Sequence, residues 1–182
     1  MRMFVAIDLD DEIKDAIRRE QRSAAFPHVT FVNPRQAHLT LAFMADVAPD
    51  RVVPSFEQPI DMGAFDVTFG GLGVFPPRGA PRVLWLGLGE GVREVTALQQ
   101  AIADRLQSLG IAPEDRVFHP HLTLGRWRRS RPSDRPAVSA DATSIGRMTV
   151  DHVTLYESRL SSEGPTHIAR ARAALSVTSA TS

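Results

Sequence analysis

His38-Leu39-Thr40-Leu41 recurs unchanged as His121-Leu122-Thr123-Leu124, 83 residues further along the chain. At this composition either copy is expected by chance on the order of 0.003 times per chain, so the repetition carries meaning. In an extended strand side chains alternate between faces, which sets each histidine beside its threonine and turns both leucines the other way. The leucines read as core residues and the imidazole-hydroxyl pairs as a surface that can meet a ligand. One such pair is usually an ordinary sheet-surface pair. Two identical pairs, on strands set face to face, make a cleft where two imidazoles and two hydroxyls converge on one small anion. Neutral imidazole accepts a proton near pH 7 and imidazolium donates one. Those roles suit in-line cleavage of a P–O bond, with hydroxyls and backbone N–H groups holding the non-bridging oxygens.

Around the first copy, residues 3–9 read as a buried strand ended by an acidic turn. Residues 12–24 read as a helix capped by Asp10 or Asp11, with Ile13, Ala16 and Ile17 at helical spacing. A short strand over 29–32 precedes the turn Asn33-Pro34-Arg35, and the first tetrapeptide lies in a strand over 37–43. Pro49, Pro54 and Pro59 leave room only for a short helix at 50–56. Residues 65–69 alternate as a strand, Gly70-Gly71-Leu72-Gly73 reads as a flexible bend, and Val74-Phe75 leads into a loop over 76–81. A strand over 82–88 and a helix over 92–109, stopped by Gly110, lead to the strand of the second copy. The order strand, helix, motif strand thus occurs twice, which predicts an internal duplication about a pseudo-twofold axis through the cleft. Residues 128–141 read as a polar loop, 148–156 as one strand, 161–164 as a turn, 166–175 as a closing strand or mixed segment and 176–182 as a disordered tail.

A chain of 182 residues fits one domain, or two small lobes sharing a core. Lys plus Arg and Asp plus Glu are 21 each, so there is no global basic field for tracking duplex DNA and any nucleic-acid contact is expected to be local. Cysteine is absent, which removes disulfides, thiolate nucleophiles and cysteine-based zinc sites. No apolar run is long enough to span a membrane, and Met3 to Ile7 is too short for a signal segment. A monomeric cytoplasmic protein is the expectation.

Several stretches together resemble the two-histidine (2H) phosphoesterases, within them the RNA 2′,3′-cyclic phosphodiesterase branch, also called the prokaryotic 2′-5′ RNA ligase or LigT-like family. They are Phe4-Val5-Ala6-Ile7-Asp8-Leu9, the two His-Leu-Thr-Leu copies, Gly73-Val74-Phe75-Pro76, Pro81-Arg82-Val83-Leu84-Trp85, Arg116-x-Phe118-x-Pro120-His121 with Arg126 downstream, and Leu155-Tyr156-Glu157-Ser158. The resemblance implies a bilobal α+β fold spanning 1–175, with two antiparallel sheets, outer helices and a central groove lined by both histidine strands. It implies hydrolysis of a 2′,3′-cyclic phosphate at an RNA end to a 2′-phosphomonoester, with no metal and no cofactor. His38 would be the proton donor to the leaving 3′-oxygen and His121 the acceptor that activates water. Thr40 and Thr123 would bind the phosphate, and Arg126 would add a charge-assisted contact. Met44-Ala45 departs from the family's usual Leu-Gly, residues 46–62 are shorter and richer in proline than usual, and residues 128–141 fall in a variable loop that permits no carry-over.

Strict alternation from His121 leaves Arg126 with the leucines, so it reaches the cleft only if the strand bulges or ends at Gly125; otherwise it is a solvated strand-end residue. His119 reads as a bystander, and His28, His152 and His167 as surface or turn residues. Trp85, Phe75 and Phe118 read as core rather than as base-stacking platforms. Arg82 and Arg116 either reach the groove or pair with a carboxylate. Two histidines on separate strands, without a carboxylate in phase, give too few ligands for a metal. Ligation to a 2′-5′ linkage and hydrolysis of small cyclic nucleotides would use the same groups. A non-catalytic RNA-end-binding module is the non-enzymatic alternative, disfavoured because binding alone would tolerate Lys or Arg in place of a titrating pair.

Overall fold

Met3–Asp8 (β1) is apolar at nearly every position because both of its edges and both of its faces are covered. It sits inside a four-stranded antiparallel sheet between His38–Met44 (β3) and His152–Ser161 (β8), with Gly164–Ala174 (β9) on the far edge. A second antiparallel sheet of five strands runs in the order Val29–Phe31 (β2), Leu122–Trp127 (β6), Val83–Leu88 (β5), Phe65–Phe75 (β4), Gly146–Val150 (β7). This computed structural model describes residues 1–23, 26–112, 117–139, 144–161 and 164–177. The first histidine strand therefore belongs to one sheet and the second to the other.

Asp11–Ser23 (α1) starts where the Asp10 carboxylate accepts from the Ile13 amide at 2.9 Å, which settles the choice of cap. Its buried stripe of Ile13, Ala16 and Ile17 packs against β7 of the second sheet; a Cβ on Gly146 would lie 2.6 Å from Ile13 Cδ1. Pro49–Phe56 (α2) carries proline in its first turn, where the missing N–H costs nothing, and buries Val52 and Phe56 against the β8–β9 hairpin. Val92–Ser108 (α3) buries Val95, Leu98, Ile102 and Leu106 and packs against β3. So the helix after β1 backs the second sheet and the helix after β5 backs the first. This exchange ties the two sheets into one continuous apolar cluster. Leu39 and Leu122 are 0% exposed, and Leu41 and Leu124 are 3% and 2% exposed. The motif leucines thus anchor their strands, each burial contributing about 1.5–3 kcal/mol.

Two readings of the chain need correction. Gly70-Gly71 does not bend the chain out of the sheet: β4 is one strand of 11 residues, and the ladder to β5 skips between Phe69 and Leu72. Gly71, at φ +74°, supplies the left-handed residue that such a bulge needs. Residues 148–156 are not one strand, because the chain changes sheet at Asp151: β7 pairs with β4, while β8 pairs with β1. Ser176, the first residue of the expected tail, is held in place, its amide donating to Ile60 O at 3.1 Å; residues 178–182 lie outside the described part, as do Ser162 and Glu163 of the expected turn. Among the described residues no helix is long and apolar enough to cross a membrane.

Candidate active site

The duplication extends to an irregularity in the ladders. On the first motif strand Thr40 pairs with Ala6 and Ala42 with Val5, leaving Leu41 as the extra residue. On the second, Thr123 pairs with Trp85 and Gly125 with Leu84, leaving Leu124. Both bulges fall on the fourth residue of the tetrapeptide. Each shifts the alternation by one, so the residue five beyond the histidine rejoins the face of the threonine. In the second copy that residue is Arg126, which pairs with Val83 on the Trp85 face. In the first it is Phe43, which pairs with Phe4 and is 40% exposed despite being aromatic. Arg126 therefore does reach the cleft, and the bulged residue is Leu124 rather than Gly125. Gly125 is needed for a different reason: a Cβ there would lie 2.4 Å from Val29 Cγ1 of β2. The carbonyl freed at Leu124 is satisfied twice, by the Val32 amide at 2.9 Å and by Gln21 Nε2 of α1 at 3.2 Å. Gln21 also donates to Val32 O at 2.9 Å, so one helix side chain clamps the bulge that aims Arg126.

The imidazoles are held alike. His38 Nδ1 lies 2.7 Å from Gln36 O, and His121 Nδ1 lies 2.6 Å from His119 O. A carbonyl only accepts, so Nδ1 carries the proton in both rings and Nε2 is left as the exchanging atom. His38 stacks on Phe4 at 4.7 Å, Phe4 stacks on Tyr156 at 5.2 Å, and His167 meets His38 edge-on at 5.1 Å. His121 meets Phe75 edge-on at 5.1 Å, and His119 packs edge-on against Phe75 and Trp85 at 5.4 and 5.1 Å. Burial among these rings pushes both motif histidines below the ordinary imidazole pKa. The backbone carbonyls resist the shift; His167 reinforces it at His38, and His119 and Arg126 reinforce it at His121.

A cleft of about 480 Å³ lies between the sheets. His121, Thr123, Arg126, Phe75 and Val83 enter it from the second sheet, Thr40 and Phe43 from the first, with Val117, Phe118 and His119 at one side. His38 lines the next cavity along β3, about 560 Å³, with Asp8, Lys14, Arg35, His152, His167 and Arg172. Four of the five expected residues thus share one cleft, and the fifth stands two residues from Thr40 on the same strand face. Asp8, opposite His38 in the ladder, accepts from Tyr156 OH at 2.5 Å and from Thr154 Oγ1 at 2.6 Å. Those bonds fix Tyr156 behind the Phe4-His38 stack. Burial and the neighbouring Asp8 carboxylate keep the Tyr156 phenol protonated well above its usual range.

Several expectations change here. His119 borders the cleft and supplies the carbonyl that orients His121. His167 packs on His38, and His152 is partly buried beside Asp151 and Asp8. Only His28 is the exposed turn residue expected, with φ 65°. Phe75 and Phe118 line the cleft, whereas Trp85 lies across Gly73, where a Cβ would be 2.0 Å from its ring. Arg82 is exposed, is not among the cleft-lining residues and has no ion pair among the described residues; Arg116 lies outside them. No described group of three or more His, Cys, Asp or Glu is arranged to hold a metal ion. Phe43 and Gln21 were missed. Phe43 had a signal, since it stands in the first copy where Arg126 stands in the second.

A profile of the 2′-5′ RNA ligase superfamily matches residues 8–161. An RNA 2′,3′-cyclic phosphodiesterase of Archaeoglobus fulgidus is 33% identical over 169 residues, 91% of this chain and 95% of that protein. One of Methanothermobacter thermautotrophicus is 33% identical over 174 residues, 91% of this chain and 94% of that one. Among solved structures, E. coli LigT complexed with 3′-AMP superposes with a TM-score of 0.78 at 25% identity, covering 96% of this chain and 97% of LigT. The match runs through both histidine strands and both sheets, and the chain belongs to the 2′-5′ RNA ligase superfamily.

Proposed function

We propose that this protein is a metal-independent phosphodiesterase that opens a 2′,3′-cyclic phosphate at an RNA end to a 2′-phosphomonoester, acting as a monomeric cytoplasmic domain over residues 1–175. The observation that carries the reading is the matched pair of bulged His-x-Thr strands, which brings Thr40, His121, Thr123 and Arg126 around one cleft with His38 on the adjoining strand face. His121 Nε2 takes a proton from water as the water oxygen bonds to phosphorus. The P–O3′ bond breaks opposite the incoming oxygen, and His38 Nε2–H gives its proton to O3′. The hydroxyls of Thr40 and Thr123 donate to the non-bridging oxygens, and the Arg126 guanidinium offsets the charge that builds on them. Phe43, exposed on the same face, offers a flat surface to the terminal base. The name shared by the curated relatives and the 3′-AMP bound to LigT agree with this substrate class.

Both free-enzyme histidines lie below their ordinary pKa, yet the donor must be protonated. A bound cyclic phosphate brings one negative charge, which favours imidazolium in the complex and restores the missing proton. The defining experiment incubates purified protein in EDTA with nucleoside 2′,3′-cyclic phosphates and with RNA oligomers ending in one. Full turnover giving only 2′-phosphate is the expected result. A 3′-phosphate product, or activity that returns only with Zn²⁺ or Mg²⁺, contradicts the mechanism.

A further inference from the structure

Charge is balanced over the whole chain, at 21 cationic and 21 acidic side chains, but it is not evenly spread. Residues 76–82 carry Arg78 and Arg82 with no acid, and residues 126–135 carry Arg126, Arg128, Arg129, Arg131 and Arg135 with Asp134 alone. The two segments are packed together. Arg135 donates to Gly79 O at 3.1 Å and to Pro76 O at 2.6 Å, Ser130 Oγ donates to Pro81 O at 2.5 Å, and the Trp127 amide donates to Arg82 O at 3.0 Å. The lone acid is spent on the backbone, since Asp134 accepts from the Arg131 amide at 2.7 Å. Arg78, Arg82, Arg128 and Arg129 are exposed and form no ion pair among the described residues. Like charges gathered on one surface of a neutral protein repel one another, and a bound polyanion relieves that repulsion.

Both segments run out from the cleft along the chain. Phe75 and Val83, which line the cleft, bracket the first segment, and Arg126, also a lining residue, opens the second. We propose that this arginine ridge binds the phosphodiester backbone of the single RNA strand leading to the terminal cyclic phosphate, so that the enzyme prefers polymer ends over mononucleotides. The proposal rests on the reading that the cleft takes an RNA end. Guanidinium grips phosphate oxygens through paired N–H donors. The ridge therefore adds affinity without reading sequence, because its partner is the backbone.

The test uses the triple variant Arg82→Ala, Arg128→Ala, Arg129→Ala, all exposed positions outside the chemistry. Turnover of a nucleoside 2′,3′-cyclic phosphate is expected to stay within about twofold of wild type, while KM for a ten-nucleotide RNA ending in the cyclic phosphate rises roughly 10-fold. The slope of log KM against log salt for the oligomer should shrink by about 2, at ~0.7 per lost single-strand phosphate contact. Anisotropy of a labelled oligomer ending in a 2′-phosphate provides a readout independent of turnover. If neither substrate is turned over but the variant still loses oligomer affinity and salt dependence, the ridge stands and the proposed reaction fails. Equal oligomer affinity and equal salt slope in wild type and variant overturn the ridge, whatever the turnover.

Discussion

Replacing either His38 or His121 by alanine is expected to lower kcat/KM on a 2′,3′-cyclic phosphate by roughly 10²–10⁴-fold while leaving the fold intact. His38 opens β3 and His121 immediately precedes β6, and the apolar anchors are the leucines on the opposite face. The double variant should fall little below the worse single one, because an acid and a base that act in one step are lost as a unit. The pH dependence separates this loss from a packing defect. The active form carries one protonated and one neutral ring, so wild-type kcat/KM should be bell-shaped. Burial lowers both rings below the ordinary value, which places the centre of the bell on the acid side of about pH 6.5. Removing His121 removes the base, so the residual rate should lose its rising acid limb and only decline as the remaining donor deprotonates. Removing His38 should leave a rate that rises with pH to a plateau. Two variants with the wild-type bell merely scaled down would mean that neither ring titrates in the reaction.

The second large effect belongs to the hydroxyls. Thr40→Val and Thr123→Val keep the β-branched shape that suits a strand and delete only the donor. Each should cost about 10²–10³ in kcat, the range for removing one preorganised donor from a developing oxyanion, with far-ultraviolet circular dichroism unchanged. The effect should fall on kcat more than on KM, since the donors are aimed at oxygens whose charge grows in the transition state. The pseudo-twofold geometry makes a sharper demand: the two valine variants should resemble one another, because Thr40 and Thr123 occupy equivalent places next to equivalent bulges. A loss confined to KM, or found in one variant alone, would show that the two hydroxyls do not share one phosphate.

Much of this architecture could be read directly, and the reason is local. β1, α1, β3, α2, β5 and α3 each announce themselves through periodicity or a cap, and the repeated tetrapeptide marks both histidine strands. What escaped depends on distant partners. Nothing between Gly146 and Ser161 interrupts a strand pattern, so the change of sheet at Asp151 leaves no local trace. Gly70-Gly71 has the composition of a bend, and only pairing with β5 makes it a bulge. Arg126 was poised between two readings because alternation is broken by an extra residue at Leu124, whose carbonyl is stabilised by Gln21, 103 residues away in sequence. The same bulge in the first copy brings out Phe43, which equal spacing from the two histidines would have revealed. Tyr156 and His167 belong to the His38 environment through β8 and β9, whose place beside β1 is set only by pairing with residues far away in sequence.

The central claim is that His38 and His121 act on one phosphorus atom from opposite sides. A crystal structure with a nucleoside-vanadate adduct, a five-coordinate stand-in for the transition state, tests it most directly. The expected result is His121 Nε2 and His38 Nε2 within about 2.6–3.2 Å of the two opposite apical oxygens, with Thr40 and Thr123 on the equatorial ones. Vanadate bound with either imidazole out of reach, or with both on the same side of the metal centre, would contradict it.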